Sequence, residues 1–227
     1  MMFYRRCAVM IAVLVLMPSL ARAAGQEPPA SAAPAPETAP AEQVQVAGFR
    51  SAQWGMGEPQ VKAAIQKDFN IAADKIKSEE NLAERTHVLT VVVPDLLEGA
   101  GTARVSYIFG YATKKLIQVN LLWGTAIDPE ISAEKIGAAA DQLRQLFLDS
   151  GYQPQTIITN AKMNDSEVLV FKGEDSDKHT TILRLAAGAQ PARHGKAEKP
   201  ATATALSLSY IFDAHNPDIY RLKKGQF

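Results

Sequence analysis

The chain has 227 residues, of which 47% are hydrophobic and 21% are charged, a composition that excludes a wholly disordered protein. Its length allows one ordinary domain or two small domains that share a sheet. Lysine and arginine together number 24, as do aspartate and glutamate, so the formal net charge is zero. A neutral chain lacks the cationic surface typical of nucleic-acid binding, and we predict no nucleic-acid partner.

The first 23 residues have the layout of a secretory signal peptide. Arg5 and Arg6 precede the apolar run 7–17, and Ala21-Arg22-Ala23 supplies the small residues of a cleavage site. The run is shorter than the roughly 20 apolar residues of a spanning helix, so we predict no transmembrane segment in the mature chain. The pattern therefore predicts a periplasmic or secreted protein.

Cleavage after residue 23 removes the single cysteine, Cys7, so the predicted mature chain has no disulfide, thiolate metal site or cysteine nucleophile. Residues 24–46 are rich in Ala and Pro and favour a disordered linker, either a tether or a solvated tail. Residues 47–227 are predicted to form the folded domain, with possible halves at 47–125 and 126–227.

The first half predicts one helix and three strands. Gly57 can cap the helix, Pro59 fits its first turn, apolar residues follow at helical spacing, and Asn70 ends it. Residues 71–85 are mixed and charged and are predicted to be a connector. The strands are predicted from their β-branched residues and alternation at 87–93, 103–109 and 116–123.

The second half repeats this order. Asp128-Pro129 predicts a helix start, Ile136 to Phe147 follow on one face, and Gly151 stands where a left-handed cap belongs. Strands are predicted at 167–172, 179–185 and 203–212, the last two separated by a polar loop over 188–202.

This order predicts the α+β class: an antiparallel sheet of about six strands with both helices on one face. A duplicated α-β-β-β unit is possible, because Ser106-Tyr107-Ile108-Phe109 recurs as Ser209-Tyr210-Ile211-Phe212. The Trp-Gly pairs at 54–55 and 123–124 are a second echo with a different spacing, so the sequence leaves the duplication open.

The entry to the first helix, residues 54–61 with the sequence Trp-Gly-Met-Gly-Glu-Pro-Gln-Val, resembles the Gly-Met-x-x-x-x-Val helix entry of small bacterial envelope proteins of the SmpA/OmlA type. Those proteins resemble the β-lactamase-inhibitor fold, in which helices lie on one face of an antiparallel sheet. The resemblance implies a non-enzymatic binding or assembly role in the bacterial envelope. This chain departs from the lipoprotein members because no lipidation cysteine stands at its predicted cleavage site.

The sequence contains no strong catalytic motif, whether a Gly-x-Ser-x-Gly elbow, a His-Glu-x-x-His helix or a phosphate loop. The four histidines, His87, His179, His194 and His215, show no metal-ligand spacing. The acidic turn at 174–177 offers oxygens that suit Ca²⁺ but lacks the glycine and distant glutamate of a calcium loop. We therefore predict a solvated hairpin there, with no metal and no cofactor.

The candidate partner-binding residues are basic and lie in the long loop and at the end of the chain. Grouped together they would meet an envelope protein or an anionic envelope component, whereas ungrouped they would be a solvated loop and a mobile tail. They are Arg193, His194, Lys196, Lys199, Arg221, Lys223 and Lys224.

The leading functional hypothesis is an exported envelope protein that binds or assembles without catalysis. The alternative is a periplasmic hydrolase or lyase with its site on the sheet face opposite the helices, which requires a deep pocket with a strongly perturbed Asp, Glu or His. A third hypothesis, a structural factor docked to a membrane complex, requires an exposed apolar patch of several hundred Å².

Overall fold

The computed structural model describes residues 43–189, 202–222 and 225. The predicted signal peptide and most of the predicted linker lie outside this part of the chain, as do residues 190–201 of the predicted polar loop. Among the described residues, no helix combines the length and apolarity needed to cross a membrane.

The described residues form one antiparallel sheet of eight strands in the order β3-β4-β5-β6-β10-β9-β8-β7, with a separate two-stranded hairpin, β1-β2. The predicted α+β class is confirmed, and the sheet has two more strands than the six expected. The strands are β1 Gly48–Phe49, β2 Ala52–Gln53, β3 Lys77–Asn81, β4 Thr86–Val93, β5 Ala103–Phe109, β6 Leu116–Gly124, β7 Ile158–Asn164, β8 Glu167–Glu174, β9 Thr180–Ala189 and β10 Thr202–Ile211.

The large sheet consists of two units with the same order of elements: a helix, a 3₁₀ turn and a four-stranded meander. The helices are α1, Glu58–Phe69, and α2, Ala133–Asp149. A constant offset of 81 residues separates the starts of the 3₁₀ turns and of the first two strands, at residues 73 and 154, 77 and 158, and 86 and 167. The units join where β6 pairs antiparallel with β10. The repeated unit is therefore α-β-β-β-β rather than the predicted α-β-β-β.

The two additional strands, β3 and β7, form the two outer edges of the sheet. β3, within the predicted connector, reads Lys-Ser-Glu-Glu-Asn and is exposed throughout, and β7 is exposed at six of its seven positions. Each pairs with only one neighbour and buries almost no side chain, so neither needs an alternating apolar pattern. Backbone pairing in the folded sheet, rather than side-chain pattern, fixes these strands.

The repeated Ser-Tyr-Ile-Phe segments are not equivalent positions of the two units, because the first lies on β5, the third strand of its unit, and the second begins on β10, the fourth. They instead flank β6, where Tyr107 and Tyr210 pair with Val119 from opposite sides. The two copies of Ser-Tyr-Ile-Phe are therefore alike in their position next to the central strand β6, on its two sides.

The two helices begin with different caps. Gly57 caps α1 as predicted, its N–H donates to Gln60 Oε1 at 2.9 Å, and Asn70 ends the helix with φ +51°. The start of α2 lies later than predicted, because Ser132 Oγ accepts from Lys135 N at 3.3 Å and forms the cap.

Asp128, the predicted cap of α2, does not cap the helix but stabilises the turn that precedes it. Its carboxylate accepts hydrogen bonds from Thr102 N at 3.1 Å and Glu130 N at 3.2 Å. The end of α2 agrees with the sequence, since Gly151 follows it in the left-handed region at φ +81°.

Both helices lie on one face of the sheet, and the core is between them and the strands. Phe147 of α2 contacts the rings of Phe171 at 5.2 Å and Tyr210 at 6.5 Å between centroids. On the α1 side, the ring of His87, at 5.8 Å from Phe109, faces Glu58 at the start of the helix. Each fully buried aromatic side chain contributes on the order of 2–3 kcal/mol.

The segment before α1 completes this covered face. Val46, predicted to be the last residue of the linker, is buried, and its N–H donates to Asp175 Oδ2 at 2.8 Å. The β1-β2 hairpin contacts β6 and β10, and Phe49 stacks on Tyr210 at 5.9 Å. The chain from residue 44 onward therefore packs between the two helices.

Candidate functional site

The sheet face opposite the helices, called here the open face, carries the outward-pointing side chains of the central strands. Its middle row passes from Thr90 on β4 through Ser106 and Asn120 to Ser209 on β10, following the strand register. These four side chains are all half-buried. Thr90 Oγ1 and Ser106 Oγ lie 3.3 Å apart in a hydrogen bond, so part of this row is already ordered.

A groove of about 890 Å³ occupies the first-unit end of the open face. Its floor comes from β4 and β5, its outer wall is the edge strand β3, and residues 70–72 and 126–127 form its rims. The floor side chains are Val88, Thr90, Val92, Arg104 and Ser106, so apolar, hydroxyl and cationic groups share one surface.

Two of the cations that line this groove have no ionic partner in the described residues. Among the described residues, no carboxylate oxygen lies within 4.0 Å of the charged atoms of Arg104 or Lys77. Lys75, also in the lining, reaches Asp74 at 4.0 Å in an exposed pair that contributes little. The two free cations can therefore receive an anionic group from a ligand.

The lining of the groove also includes Glu79 and Glu80 of the exposed strand β3, but the Glu80 side chain turns to the covered face. Glu80 Oε1 is 2.9 Å from Nδ1 of His87, whose ring lies on the covered face beside Phe109. None of the histidines in the described residues lines the groove. An acid–base pair of the kind expected for hydrolysis is therefore not assembled on this part of the open face.

Of the predicted partner-binding residues, only Arg221 is described, and it is exposed. It follows Tyr220, whose N–H donates to Glu84 O at 2.8 Å in the β3–β4 turn, and Arg85 lies 3.9 Å over the Tyr220 ring. Arg193, His194, Lys196, Lys199, Lys223 and Lys224 lie outside the described residues, so their predicted grouping stays a prediction.

The chain after β10 crosses the end of the sheet and is anchored by Asp218. Its carboxylate accepts from Ala112 N, Thr113 N and Thr113 Oγ1 at 2.6–2.9 Å. Burial acts to raise the pKa of Asp218, but these hydrogen bonds outweigh it and lower the pKa below its ordinary value. A second pocket of about 370 Å³ lies under this segment, with Ile117, Ile211 and Phe212 in its lining.

The acidic turn between β8 and β9 differs from the predicted solvated hairpin, because Asp175 is 1% exposed. Its Oδ1 accepts from the N–H groups of Asp177 and His179, and its Oδ2 accepts from Val46 N and His179 Nδ1, all at 2.8–3.0 Å. A third pocket, of about 510 Å³, opens beside this turn.

The alternation predicted for 103–109 puts Arg104 and Ser106 on the side opposite Val105 and Tyr107, but it does not mark them as site residues. The outward position of both was visible in the alternation of residues 103–109, whereas the groove depends on β3, which the sequence did not reveal. Lys77 therefore had no local signal as a site residue, since its place in the same groove as Arg104 comes from two successive strand pairings.

Comparison with protein-family models, with curated proteins and with solved structures finds no match for this chain. The resemblance of residues 54–61 to SmpA/OmlA-type proteins stays a prediction. The chemistry of the groove and of the neighbouring pockets must therefore carry any assignment of function.

Proposed function

We propose that this protein is a non-catalytic binding protein of the bacterial envelope that holds an acidic, extended segment of a partner protein in the groove of the open face. The observation that carries the proposal is a pair of groove cations, Lys77 on the edge strand β3 and Arg104 two strands away on β5, that have no ionic partner among the described residues. Among the residues that the structure describes, the helices and the N-terminal hairpin all pack on the other face.

The edge of β3 supplies the first half of the recognition. Within the described part of the chain β3 pairs only with β4, so its other side presents backbone N–H and C=O groups that an added strand can bind. Addition of an extended peptide to such an edge gives affinity through main-chain hydrogen bonds, while neighbouring pockets select its side chains.

The cations supply the second half. An arginine guanidinium binds a carboxylate through two parallel hydrogen bonds, and Lys77 adds a second positive charge. Val88 and Val92 lie on the same floor and can contact the apolar part of a peptide side chain. A segment that alternates acidic and apolar residues therefore complements the groove, and a protein partner is favoured over a bare anion.

The envelope location rests on the predicted signal peptide, and the non-catalytic role agrees with the absence of strong catalytic motifs in the sequence. The alternative of a periplasmic hydrolase or lyase gains no support from the groove, whose carboxylates stand on an exposed edge strand. An anionic envelope component that is not a protein would use Arg104 and Lys77 but not the edge of β3.

Site-specific crosslinking in intact cells tests the proposal. A photoreactive amino acid at Ser106, on the groove floor, should give a defined protein adduct, whereas the same group at Lys135, exposed on α2, should not. Mass spectrometry of the adduct should place the crosslink in an acidic, extended segment of the partner.

Charge reversal makes the test quantitative. With the purified partner segment, Arg104→Glu should weaken binding about tenfold or more, and Lys135→Glu should leave it unchanged. Crosslinks of equal yield from both faces, or binding that is insensitive to Arg104→Glu, would contradict the proposal.

A further inference from the structure

The strongest further feature is the pair Asp175 and His179 at the β8–β9 turn. The carboxylate of Asp175 has no exposed side-chain surface, and it accepts four hydrogen bonds, which occupy its lone pairs. Asp175 is therefore not available as a ligand, although it lies within the acidic turn. It acts as the fixed acceptor that orients the imidazole.

Because a carboxylate only accepts, Nδ1 of His179 carries the proton and Nε2 keeps a free lone pair. The ring is held between Trp54 and Phe212, with centroid distances of 6.0 and 5.2 Å. A carboxylate bound to one ring nitrogen is the usual support of a histidine whose other nitrogen binds a metal ion. His179 lines the 510 Å³ pocket, so this second nitrogen is the one left for a ligand.

Glu174 and His215 provide the next two donors in the same pocket. His215 Nε2 lies 3.4 Å from Glu174 Oε1, which is longer than an ordinary N–H···O hydrogen bond of about 2.7–3.2 Å. Two ligands of a tetrahedral Zn²⁺ ion, each about 2.0–2.2 Å from the metal, lie about 3.3–3.5 Å apart. The separation of these two atoms is that of two ligands of one ion. His179 Nε2 must move toward them when the ion binds, because in the described residues the ligand atoms within 4.8 Å of one another belong to Asp175, Asp177 and His179.

We propose that His179 Nε2, Glu174 and His215 form a binding site for Zn²⁺ or a similar divalent transition metal. Asp177 and Asp213 also line the pocket and can supply a fourth oxygen ligand. Two imidazoles with one carboxylate suit Zn²⁺, whereas Ca²⁺ prefers a set made only of oxygens. The bound ion would displace Lys172 Nζ, which lies 3.5 Å from the same Glu174 oxygen, and would tie the end of β10 to the β8–β9 turn.

His87 offers a matched control, because it is a second histidine flanked by carboxylates. Its Nδ1 faces Glu80 at 2.9 Å and its Nε2 faces Glu58 at 3.5 Å. Glu58 already binds Lys62 Nζ at 2.7 Å, and the hydrogen bond from Lys62 lowers the pKa of Glu58. His87 lines none of the three pockets, so it should contribute nothing to metal binding.

The test is titration of the purified full chain, without a histidine tag, with Zn²⁺ against a chromophoric chelator. We expect one Zn²⁺ per chain for the wild type and for His87→Gln. His215→Ala and His179→Gln should each weaken Zn²⁺ binding about 10–100-fold or more. Loss of a residue that only supports a metal ligand already costs about that much. Because the His215 side chain is 67% exposed, His215→Ala leaves the core intact and keeps the test valid if His179→Gln folds poorly.

Three results would overturn the site. They are no stoichiometric binding by the wild type, unchanged binding in the double variant His179→Gln/His215→Ala, and an equal loss in His87→Gln. Binding of Ca²⁺ in preference to Zn²⁺ would likewise contradict an imidazole-based site. None of these results bears on the groove of the open face, which lies on other strands.

Discussion

The two units share one order of elements but cover their halves of the sheet differently. In the second unit, the longer helix α2 contacts β8, β9 and β10 directly and inserts Phe147 among aromatic side chains. In the first unit, the shorter helix α1 buries only Val61, Ala64 and Ile65, and the segment from residue 44 to β2 supplies further cover.

This difference shows that one topology can be covered in two ways, since the first unit also buries aromatic side chains at Tyr107, Phe109 and Trp123. The second unit concentrates its packing in an aromatic cluster and in the buried carboxylate of Asp175. The first unit depends on chain from outside its helix and meander, which Asp175 itself anchors through Val46 N. The second unit therefore stabilises the first, and substitutions in the second should have the larger effects.

The largest effect is expected at Phe147. Phe147→Ala should lower the free energy of unfolding by about 3–5 kcal/mol, because it leaves a cavity beside Phe171 and Tyr210. Ile65→Val, a smaller deletion in the core of the first unit, should cost about 0.5–1.5 kcal/mol. Urea denaturation followed by tryptophan fluorescence measures both.

Because β6 and β10 share a backbone ladder, both variants should still unfold in a single transition. If the two substitutions lower the free energy of unfolding equally, the conclusion that the second unit contributes more to stability is wrong. Two separate transitions in the wild type would show that the units fold independently.

The second-largest effect is expected at Asp175, whose hydrogen bond to Val46 N joins the second unit to the segment that covers the first. Asp175→Asn replaces one carboxylate oxygen with a nitrogen that cannot accept from Val46 N or His179 Nδ1, so buried donors lose their partners. We expect a loss of about 2–3 kcal/mol in chemical denaturation and faster amide exchange at residues 44–49.

Asp177→Asn, two residues away in the same turn, is the control. Asp177 is exposed, and the substitution should change stability by less than about 0.5 kcal/mol. If both variants lose the same stability, the buried hydrogen bonds of Asp175 do not anchor the first unit.

The smallest effect is expected from removing the hydroxyl group of either of two buried tyrosines, one beside each helix. Tyr152 OH is 2.7 Å from Thr181 Oγ1, and burial raises the pKa of Tyr152 to about 12. Tyr107 is 0% exposed, burial raises its pKa further, and no described residue bonds its hydroxyl. Tyr152→Phe should therefore cost about 1 kcal/mol, whereas Tyr107→Phe should be neutral or stabilising.

Thermal unfolding of the two variants at neutral pH, where both phenols are protonated, gives the comparison directly. A loss in Tyr107→Phe as large as that in Tyr152→Phe would mean that the Tyr107 hydroxyl has a bonding partner in solution.

The elements predicted from local pattern are those that bury side chains. Helix α1, the end of α2 at Gly151 and the six inner strands all carry apolar periodicity, and each is present near its predicted position. The start of α2 differs because Ser132 caps it, while the earlier Asp128 bonds to Thr102 across the turn. That choice between two good caps depends on a contact 26 residues distant.

The positions of the candidate sites depend on contacts between residues that are farther apart in the chain than those that set the start of α2. Residues 174–177 were visible as an acidic turn and His179 as the start of a strand, but the burial of Asp175 requires Val46, 129 residues earlier in the chain. Likewise, the outward position of Arg104 was readable from alternation, but the groove around it needs a strand without any apolar pattern.

The sequence by itself determined the α+β class, the helices and the inner strands, because the periodic burial of apolar side chains is a local property that a linear pattern records. Only the tertiary structure decided the two edge strands, the joining of the units through β6 and β10 and the position of each candidate site. The reason is physical: backbone pairing at an edge and the satisfaction of a buried carboxylate depend on groups that are far apart in the chain and meet only after folding.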